Sequence, residues 1–291
     1  AVSEFLDIGT EGNPIQELTH AVCASDEWMQ EMIDGDAEKR TLWAKVIQRR
    51  GEIGYPYIFF SDTANKTTVE VYKDKHIIHG SNLCSEIMLP DNDLESFVCD
   101  LSSMNILYYE EWKDTDAVEV LTFLLDAVMT DFITKAKDIP FMERAVRFAE
   151  RHRALGIGWL GWHSFLQSKM IAWESMEAKM WNMEVARTIN SQAWEASKKL
   201  AKIFGEPEVL KGYGRRNTTL TAIAPTKSSA FILGQVSEGI EPHRANYYIK
   251  DLQKGKFTVK NHELEKLLES KDRNTKEVWD SILKNAGSVQ H

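Results

Sequence analysis

The chain has 291 residues and a formal net charge of -9, and 43% of its residues are hydrophobic. This composition is typical of a globular protein with a substantial core and excludes a disordered or fibrous chain. The acidic balance disfavours a broad nucleic-acid-binding surface, which needs clustered Lys and Arg. No apolar run reaches the roughly 18–20 residues of a membrane span, and the first residues do not form a signal-peptide pattern. We therefore expect neither direct nucleic-acid binding nor a membrane association.

Three cysteines are present, Cys23, Cys84 and Cys99. An odd and widely spaced set without a CxxC motif does not predict a disulfide framework, and it fits a reducing compartment. We therefore expect a cytoplasmic protein, in which a functional cysteine would act through redox or radical chemistry.

The first hundred residues predict short strands and helices in alternation. The predicted segments are a strand-like stretch over 15–24, a helix over 25–50, a buried strand over 56–61, a polar loop over 62–80, a mixed segment over 81–89 and a strand over 97–107. The strands are predicted from short, aromatic or β-branched apolar runs between turn residues.

The rest of the chain predicts mostly helices. They are placed at 116–137, 141–168, 175–204, 228–235, 261–270 and 275–286, with one buried strand over 218–224 (TTLTAIA). Ser175 is a predicted N-cap, and Gly156, Gly158 and Gly161 indicate close packing or a break in the second helix. Because there is no linker, repeat or low-complexity stretch, we expect residues 1–291 to be a single piece of a helix-rich α/β domain.

Residues 82–86 read Asn82-Leu83-Cys84-Ser85-Glu86. In an extended segment, residues two apart point the same way, so an amide, a thiol and a carboxylate would project together. Such a trio offers a hydrogen-bonding group, a reactive sulfur and a proton acceptor. The alternative is a buried cysteine flanked by polar residues on a turn.

A second candidate site lies between the predicted strand over 218–224 and the next helix. Its residues are Pro225, Thr226, Lys227, Ser228 and Ser229. Free amide groups and the helix dipole at a helix N-terminus favour an anion, although the glycines of a Walker A loop are absent. The alternative is an ordinary N-cap rich in Ser and Thr.

Two weaker patterns complete the candidates. Glu241 and Arg244, in the turn-forming stretch over 239–244, are either a ligand-facing pair or part of a surface turn. His76 and His79 are three residues apart, but no third ligand is evident nearby, so no metal site is predicted.

Several strings together resemble class I ribonucleotide reductase large subunits. They are SNLCSEI at 81–87, FVCDLSS at 97–103, HRALGIGWLGW at 152–162, RNTTLTAIAPTKSSA at 216–230 and EGIEP at 238–242. They occur in the family's order over nearly the whole chain and look nearest to the branch of T-even-like bacteriophages. The resemblance implies part of a ten-stranded α/β barrel, built from two five-stranded halves around a central cysteine finger loop.

The resemblance also implies roles for individual residues. Cys84 would carry the thiyl radical, Asn82 and Glu86 would be its hydrogen-bonding and proton-accepting partners at the substrate ribose, and Cys99 would be one of two redox-active cysteines. Residues 225–229 would bind the substrate phosphates, with Lys227 where the enterobacterial form has an acidic residue. The finger residues Leu83 and Ser85 would also face the substrate.

The implied substrate is a ribonucleoside diphosphate. The implied partners are a radical-generating, metal-containing small subunit, an external dithiol such as thioredoxin or glutaredoxin, the N-terminal part of the large subunit, and a second copy in a homodimer. No cofactor is expected in this chain itself. For a phage-encoded protein, the cytoplasm is that of the host.

The chain departs from the family pattern in what it lacks. The family's second redox cysteine, tandem tyrosines and C-terminal cysteine tail have no counterpart, since Cys23 reads as structural and the tyrosine pairs at 108–109 and 247–248 read as packing residues. We therefore expect the isolated chain to be inactive. Two alternatives stay open, a non-catalytic half of a split reductase that acts only after assembly and a cobalamin-dependent reductase.

Overall fold

A computed structural model describes residues 2–252 and 255–290 of the chain. These residues form two compact units. The first unit comprises Ala1–Phe97 and Ile139–Phe148, and the second comprises Val98–Asp138 and Ala149–His291, in each case as far as described. The expectation that residues 1–291 are one piece of a single barrel domain stays a prediction.

The first unit is built on a pair of parallel strands. Its elements are α1 (Val2–Leu6), β1 (Ala21–Ala24), α2 (Asp26–Asp34), α3 (Ala37–Ile53), β2 (Tyr57–Phe60) and α4 (Ser61–Thr67). The β1 and β2 strands pair in register from Ala21 with Tyr57 to Ala24 with Phe60. Phe59 packs with Ala64 and Ile78 in a small buried cluster beside them.

The predicted helix over 25–50 is two helices, α2 and α3, because local signals end one and start the other. Gly35 adopts a φ of 114°, which a residue without a Cβ reaches at no steric penalty, and its N–H binds carbonyls at the end of α2. Asp36 then accepts a hydrogen bond from the N–H of Lys39 and caps α3.

The second unit contains two further strand pairs and most of the helices. Its elements are β3 (Asp100–Asn105), α5 (Tyr109–Trp112), α6 (Ala117–Ala136), the end of α7 (Glu143–His152), β4 (Leu155–Leu160), α8 (Trp162–Ser168), α9 (Met176–Phe204), α10 (Lys227–Ile232), β5 (Tyr247–Leu252), β6 (Gly255–Lys260), α11 (His262–Ser270) and α12 (Lys276–Lys284), with short 3-10 turns at 106–108 and 208–210. The β3 and β4 strands are parallel, and β5 and β6 form an antiparallel hairpin. The long helices α6 and α9 pack against each other and against β4.

The predicted helix over 141–168 was wrong in its middle, where β4 replaces it. All six residues of β4 are buried, so the segment carries no polar face that would mark a surface helix. A Cβ built on Gly158 would overlap the carbonyl oxygen of Ala222, so the glycine permits close approach of the next chain segment. Both predictions for these glycines are confirmed, since Gly158 packs closely and the helical stretch is interrupted between His152 and Trp162.

The predicted strand over 218–224 is an extended segment that pairs with β4 only in part. The amides of Leu155 and Ile157 donate to the carbonyls of Thr219 and Leu220 at 3.1 and 2.7 Å, and the amide of Ala222 donates back to Ile157 at 3.3 Å. The β5–β6 hairpin was not predicted from the sequence. Among the helices of the described residues, none combines the length and apolar character needed to cross a membrane.

Candidate active site

The candidate cysteine lies on a tight turn of the first unit that closes on itself. The amide of Asn82 donates to the carbonyl of Ile87 at 3.1 Å, and the amide of Ser85 donates to the carbonyl of Asn82 at 3.2 Å. The side-chain oxygen of Asn82 also accepts from the amide of Ile87 at 3.0 Å. Both the main chain and the side chain of Asn82 therefore hold the two ends of the turn together.

The residues around Cys84 form a turn, and not the extended segment that the sequence predicted. The segment was expected to be extended, so that residues two apart share a side, but it is a turn with Ser85 at a φ of 65°. Cys84 and Ser85 are exposed at its tip, and Leu83 is 62% exposed. Cys84 is thus presented on a protruding turn rather than on a strand, and the alternative of a buried cysteine does not apply.

Glu86 follows the tip and is half-buried. Its Oε2 atom is enclosed, and no hydrogen-bond donor reaches it within the described part of the chain. A buried carboxylate oxygen without a donor is an unfavourable arrangement that a binding partner would relieve. A bound molecule reaches this atom only if the turn moves and opens it.

Side chains of α4 and β1 hold the residues that precede the cysteine turn. The side chain of Asn65 on α4 donates to the carbonyl of Ile78 and accepts from its amide, both at 2.9 Å. The thiol of Cys23 on β1 donates to the carbonyl of His79 at 3.4 Å, and burial raises the pKa of that thiol. Residues 78–79, just before the cysteine turn, are thus tied to α4 through Asn65 and to β1 through Cys23.

Tyr57 on β2 is a neighbour of the turn that the sequence analysis did not select. Burial raises the pKa of Tyr57, and the hydrogen bond with Tyr55 and the nearby Cys84 thiol raise it further. The rings of Tyr55 and Tyr57 lie 5.1 Å apart. The alternation of tyrosines in the string YPYIFF was the available signal, but only tertiary structure brings one of them near Cys84.

Cys99 belongs to the second unit, immediately before β3. Its thiol is half-buried and donates to the carbonyl of Asp100 at 3.7 Å. A Cβ built on Gly156 of β4 would lie 3.5 Å from the Cys99 sulfur. That distance is an ordinary van der Waals contact, whereas the same Cβ would overlap the side chains of Leu101 and Ala222, so the glycine is required by those neighbours and not by the thiol.

Asp100 is a second residue that the sequence analysis did not select. Burial raises the pKa of Asp100, with Asp126 acting in the same direction and Arg153 in the opposite one. Its Oδ2 atom is enclosed and has no hydrogen-bond partner within residues 2–252 and 255–290.

The candidate phosphate loop also lies in the second unit, at the start of α10. Thr226 has a φ of 52°, and its hydroxyl oxygen accepts from the amide of Gly239 at 2.8 Å. No side chain caps α10, and Pro225, Lys227, Ser228 and Ser229 are exposed. The first amides of the helix, a lysine and two hydroxyl groups are therefore all available to an anion on this surface.

The surroundings of the two weaker candidates, the pair Glu241 and Arg244 and the pair His76 and His79, do not indicate a ligand site. Glu241 and Arg244 line a cavity of about 30 Å³, which is the volume of one water molecule rather than that of an organic ligand. The ring of His79 contacts Asp91 at 3.0 Å. Across the described residues, no group of three or more His, Cys, Asp or Glu side chains has the arrangement of a metal site.

The model of the ribonucleotide reductase barrel domain matches this chain over residues 10–209 and 207–291. The chain belongs to this family. Its helix-rich α/β fold is therefore that of the family's barrel, as the resemblance implied. The match covers both candidate sites, at residues 82–86 and 225–229, and Cys99.

Comparisons with individual proteins agree with the family. The chain is 42% identical over 254 residues to a protein of Frog virus 3 (isolate Goorha) named as a ribonucleoside-diphosphate reductase large subunit, covering 87% of this chain and 45% of the relative. It is 41% identical over 256 residues to the large subunit of Invertebrate iridescent virus 3, covering 86% of this chain and 40% of the relative.

Among solved structures, the Actinobacillus ureae class Id ribonucleotide reductase alpha subunit matches with a TM-score of 0.94 and 57% identity, covering 99% of this chain and 54% of that chain. The chain thus spans about half the length of the proteins it matches. The relation to a class I large subunit is confirmed, whereas the nearness to T-even-like phages stays a prediction.

Proposed function

We propose that this chain is the catalytic part of a ribonucleoside-diphosphate reductase large subunit. The observation that carries the proposal is the turn over Asn82–Ile87, with the Cys84 thiol at its exposed tip and the Glu86 carboxylate oxygen enclosed without a donor. One turn thus carries an exposed thiol and, two residues further on, a carboxylate, the two groups that radical chemistry at a ribose needs.

The proposed reaction begins at Cys84. A ribose C–H bond is too strong and too weakly acidic for ordinary acid–base attack, so a thiyl radical on Cys84 takes the 3′ hydrogen atom and becomes a thiol. Glu86 takes the proton of the 3′ hydroxyl, provided it lies within about 2.6–3.2 Å of that group. The radical at the 3′ carbon then makes the neighbouring 2′ hydroxyl easier to expel as water.

The reduction itself requires two electrons and two protons, which we assign to a dithiol that includes Cys99. One thiol of the pair gives its proton to the departing 2′ hydroxyl, and the other gives a hydrogen atom to the 2′ carbon. The resulting disulfide radical anion passes one electron to the 3′ ketone and becomes the disulfide, while Glu86 returns its proton to the 3′ oxygen. Cys84 then gives its hydrogen atom back to the 3′ carbon, which regenerates the radical. The net change is a ribonucleotide and a dithiol converted to a deoxyribonucleotide, water and a disulfide. An external dithiol such as thioredoxin or glutaredoxin would reopen the disulfide by exchange.

The loop over 225–229 is proposed to hold the substrate phosphates. The support is its uncapped helix start, its exposed hydroxyl groups and the positive charge of Lys227. Backbone amides at a helix start bind phosphate oxygens well because their N–H groups have no partner within the helix.

Asn82 would orient the ribose through its amide nitrogen, because its side-chain oxygen already accepts a hydrogen bond from the amide of Ile87.

The proposal includes partners outside this chain. A metal-containing small subunit would generate the radical, the rest of the large subunit would supply the second redox cysteine and the radical route, and two complete large subunits would form a homodimer. The reaction would take place in the cytoplasm, the host's if the gene is carried by a phage.

The test is a reductase assay on the complete large subunit, with its small subunit, a ribonucleoside diphosphate and a dithiol. Cys84→Ser should lower the deoxyribonucleotide yield by at least about a thousandfold, as removal of a reacting group does in other enzymes. Cys23→Ser is the matched control and should retain most of the activity. A Cys84→Ser variant that still forms product would exclude the proposal.

A second arm tests the 291-residue chain by itself. Supplied with small subunit and dithiol, it should give no product, because half of the redox pair and the radical route are absent from it. Turnover by the isolated chain would show that this expectation is wrong while leaving the role of Cys84 intact.

A further inference from the structure

The segment over 237–243 follows α10 and contacts the candidate phosphate loop over 225–229. The amide of Gly239 donates to the hydroxyl oxygen of Thr226 at 2.8 Å. A Cβ built on Gly239 would lie 3.0 Å from the carbonyl oxygen of Ala224, so the segment packs closely beside the loop. Thr226 has a φ of 52°, a strained conformation for a β-branched residue that persists only where its surroundings hold it. The position of Gly239 therefore affects the shape of the phosphate loop.

The start of α8 holds the first residue of this segment. The Oγ atom of Ser237 accepts from the amides of His163 and Ser164 at 2.9 and 3.2 Å. These amides belong to the first turn of α8, where donors have no partner within the helix, and the N-cap residue Gly161 has no side chain to bind them. The amide of Ser237 in turn donates to the hydroxyl oxygen of Ser164 at 2.9 Å. Both serines are buried, so water does not compete for these hydrogen bonds.

The same two residues of α8 also hold the last residue of the segment. The amide of His243 donates to Nδ1 of His163 at 3.1 Å, and Nε2 of His243 lies 3.2 Å from the hydroxyl oxygen of Ser164. Because Ser164 already accepts from the amide of Ser237, its hydroxyl hydrogen is available for His243. His163 and Ser164 thus contact both ends of the 237–243 segment, and Gly239 lies between these ends.

The contact at His163 requires a neutral ring. Because the amide of His243 can only donate, Nδ1 of His163 must be the nitrogen without a hydrogen. Burial lowers the pKa of His163, and burial, with His163 and His262 adding to it, lowers the pKa of His243 to about 4. Both rings are therefore neutral near neutral pH. The Trp173 ring packs edge-on against His163 with the ring centroids 5.5 Å apart, which limits rotation of the imidazole.

From this arrangement we propose that His163 is a positioning residue for substrate binding. Its Nδ1 atom holds His243 against α8, which keeps the 237–243 segment closed and Gly239 in contact with Thr226. The phosphate loop then retains the shape in which its amides and hydroxyl groups bind the substrate phosphates. This inference rests on the phosphate-binding role proposed for the loop, and it gives His163 an effect that passes through the segment.

The test compares two amides of different length at position 163 in the complete large subunit. His163→Asn keeps an acceptor one bond from Cγ, where Nδ1 lies, whereas His163→Gln moves the acceptor one bond further out. The Kd of cytidine diphosphate, measured by calorimetry without small subunit, should rise about five- to tenfold in His163→Gln, as loss of one neutral hydrogen bond predicts. His163→Asn should stay within about twofold of the wild type. Equal affinities in the two variants overturn the proposal.

The reductase assay separates positioning from a loss of folded enzyme. With small subunit and dithiol present, KM for cytidine diphosphate should rise by the same factor in His163→Gln, while kcat stays within about twofold of the wild type. A fall in kcat with unchanged KM overturns the proposal. His163→Phe keeps a ring beside Trp173 but has no acceptor, so it should behave as His163→Gln does. Either of these two variants decides the question if the other does not fold.

A double-mutant cycle tests the link through the loop. Thr226→Val removes the acceptor for the Gly239 amide, so His163→Gln in that background should weaken cytidine diphosphate by less than about twofold more. Effects that multiply independently overturn the proposal. Lys227→Gln, in the loop itself, tells the two proposals apart. Unchanged affinity in Lys227→Gln rejects the phosphate-binding role of the loop and this inference with it, whereas weaker binding there and normal binding in His163→Gln reject only the role of His163.

Discussion

The cysteine turn and the buried charge cluster of α6 use polar groups in opposite ways. In the turn, Asn82 makes one side-chain hydrogen bond to its own loop and Cys84 is exposed. In the cluster, Asp126 is 3% exposed. Its carboxylate contacts Arg153 at 2.8 Å and Arg216 at 2.9 Å, and it also accepts from Asn217 at 3.0 Å.

The turn is the segment proposed to react, whereas the charge cluster holds the fold together. Burial by itself would raise the pKa of Asp126, but the hydrogen bonds and charges of Arg153 and Arg216 outweigh it and lower the pKa. The cluster therefore stays charged and joins α6, the end of α7 and the segment before 218. The turn, by contrast, has only its own main chain and the Asn82 side chain to hold it closed.

The largest effect expected from this comparison is on the cluster. Asp126→Asn removes the carboxylate shared by the buried Arg153 and the half-buried Arg216, so the free energy of unfolding should fall by about 3–5 kcal/mol. Chemical unfolding of the variant measures this. The matched control is Asp131→Asn on the same helix, where the exposed pair with Lys135 should contribute less than about 0.5 kcal/mol. Similar losses in both variants would contradict the assigned role of Asp126.

The next effect concerns pH. His243 is half-buried, and its ring nitrogen lies 3.2 Å from the hydroxyl of Ser164. Burial, with His163 and His262 adding to it, lowers the pKa of His243 from 6.5 to about 4. The unfolded state therefore takes up a proton more readily than the folded state between these values. Stability should be full above about pH 6.5 and should fall by about 3 kcal/mol as the pH approaches 4.

Unfolding measured at several pH values checks this. His243→Gln should make the curve shallower between pH 4 and 6.5, and the slope that remains is expected from His163, because burial lowers its pKa as well. Asp126 does not produce the same window, because a lowered carboxyl pKa reduces stability only below about pH 4. If the stability of His243→Gln fell as steeply with pH as that of the wild type, another titratable group would have to cause the pH dependence.

A smaller loss of stability is expected where β4 packs closely against the extended segment over 218–224. Gly158→Ala places a Cβ against the carbonyl oxygen of Ala222, and the backbone shift needed to relieve it should destabilise the protein by about 1–3 kcal/mol. Gly51→Ala is the control, since nothing lies within 4 Å of a Cβ there and alanine favours the helix α3. Thermal unfolding should separate the two, and a neutral Gly158→Ala would mean that this contact adjusts without strain.

The two regions also differ in how far the sequence predicted them. The helices over 117–136 and 176–204, the strands at 57–60 and 100–105 and the cap at Ser175 followed from local patterns of apolar and polar residues. The β4 strand did not, because a fully buried run with two glycines has no periodicity that separates helix from strand. The roles proposed for Cys84 and Glu86 depended on a family resemblance, since the spacing by itself assumed an extended segment. Tyr57 and Asp100 could not be found in this way, because only tertiary structure gives them their neighbours.

The smallest change in stability is expected at Asn82, and it separates two functions of one side chain. Asn82→Ala removes the acceptor for the Ile87 amide and should cost about 1 kcal/mol. Asn82→Asp keeps an oxygen in the same place, so the turn should retain its stability, but it loses the amide nitrogen proposed to orient the ribose. Both variants should therefore lose reductase activity in the complete enzyme, whereas only Asn82→Ala should unfold more easily. If Asn82→Asp were fully active, the side chain would serve the turn and not the substrate.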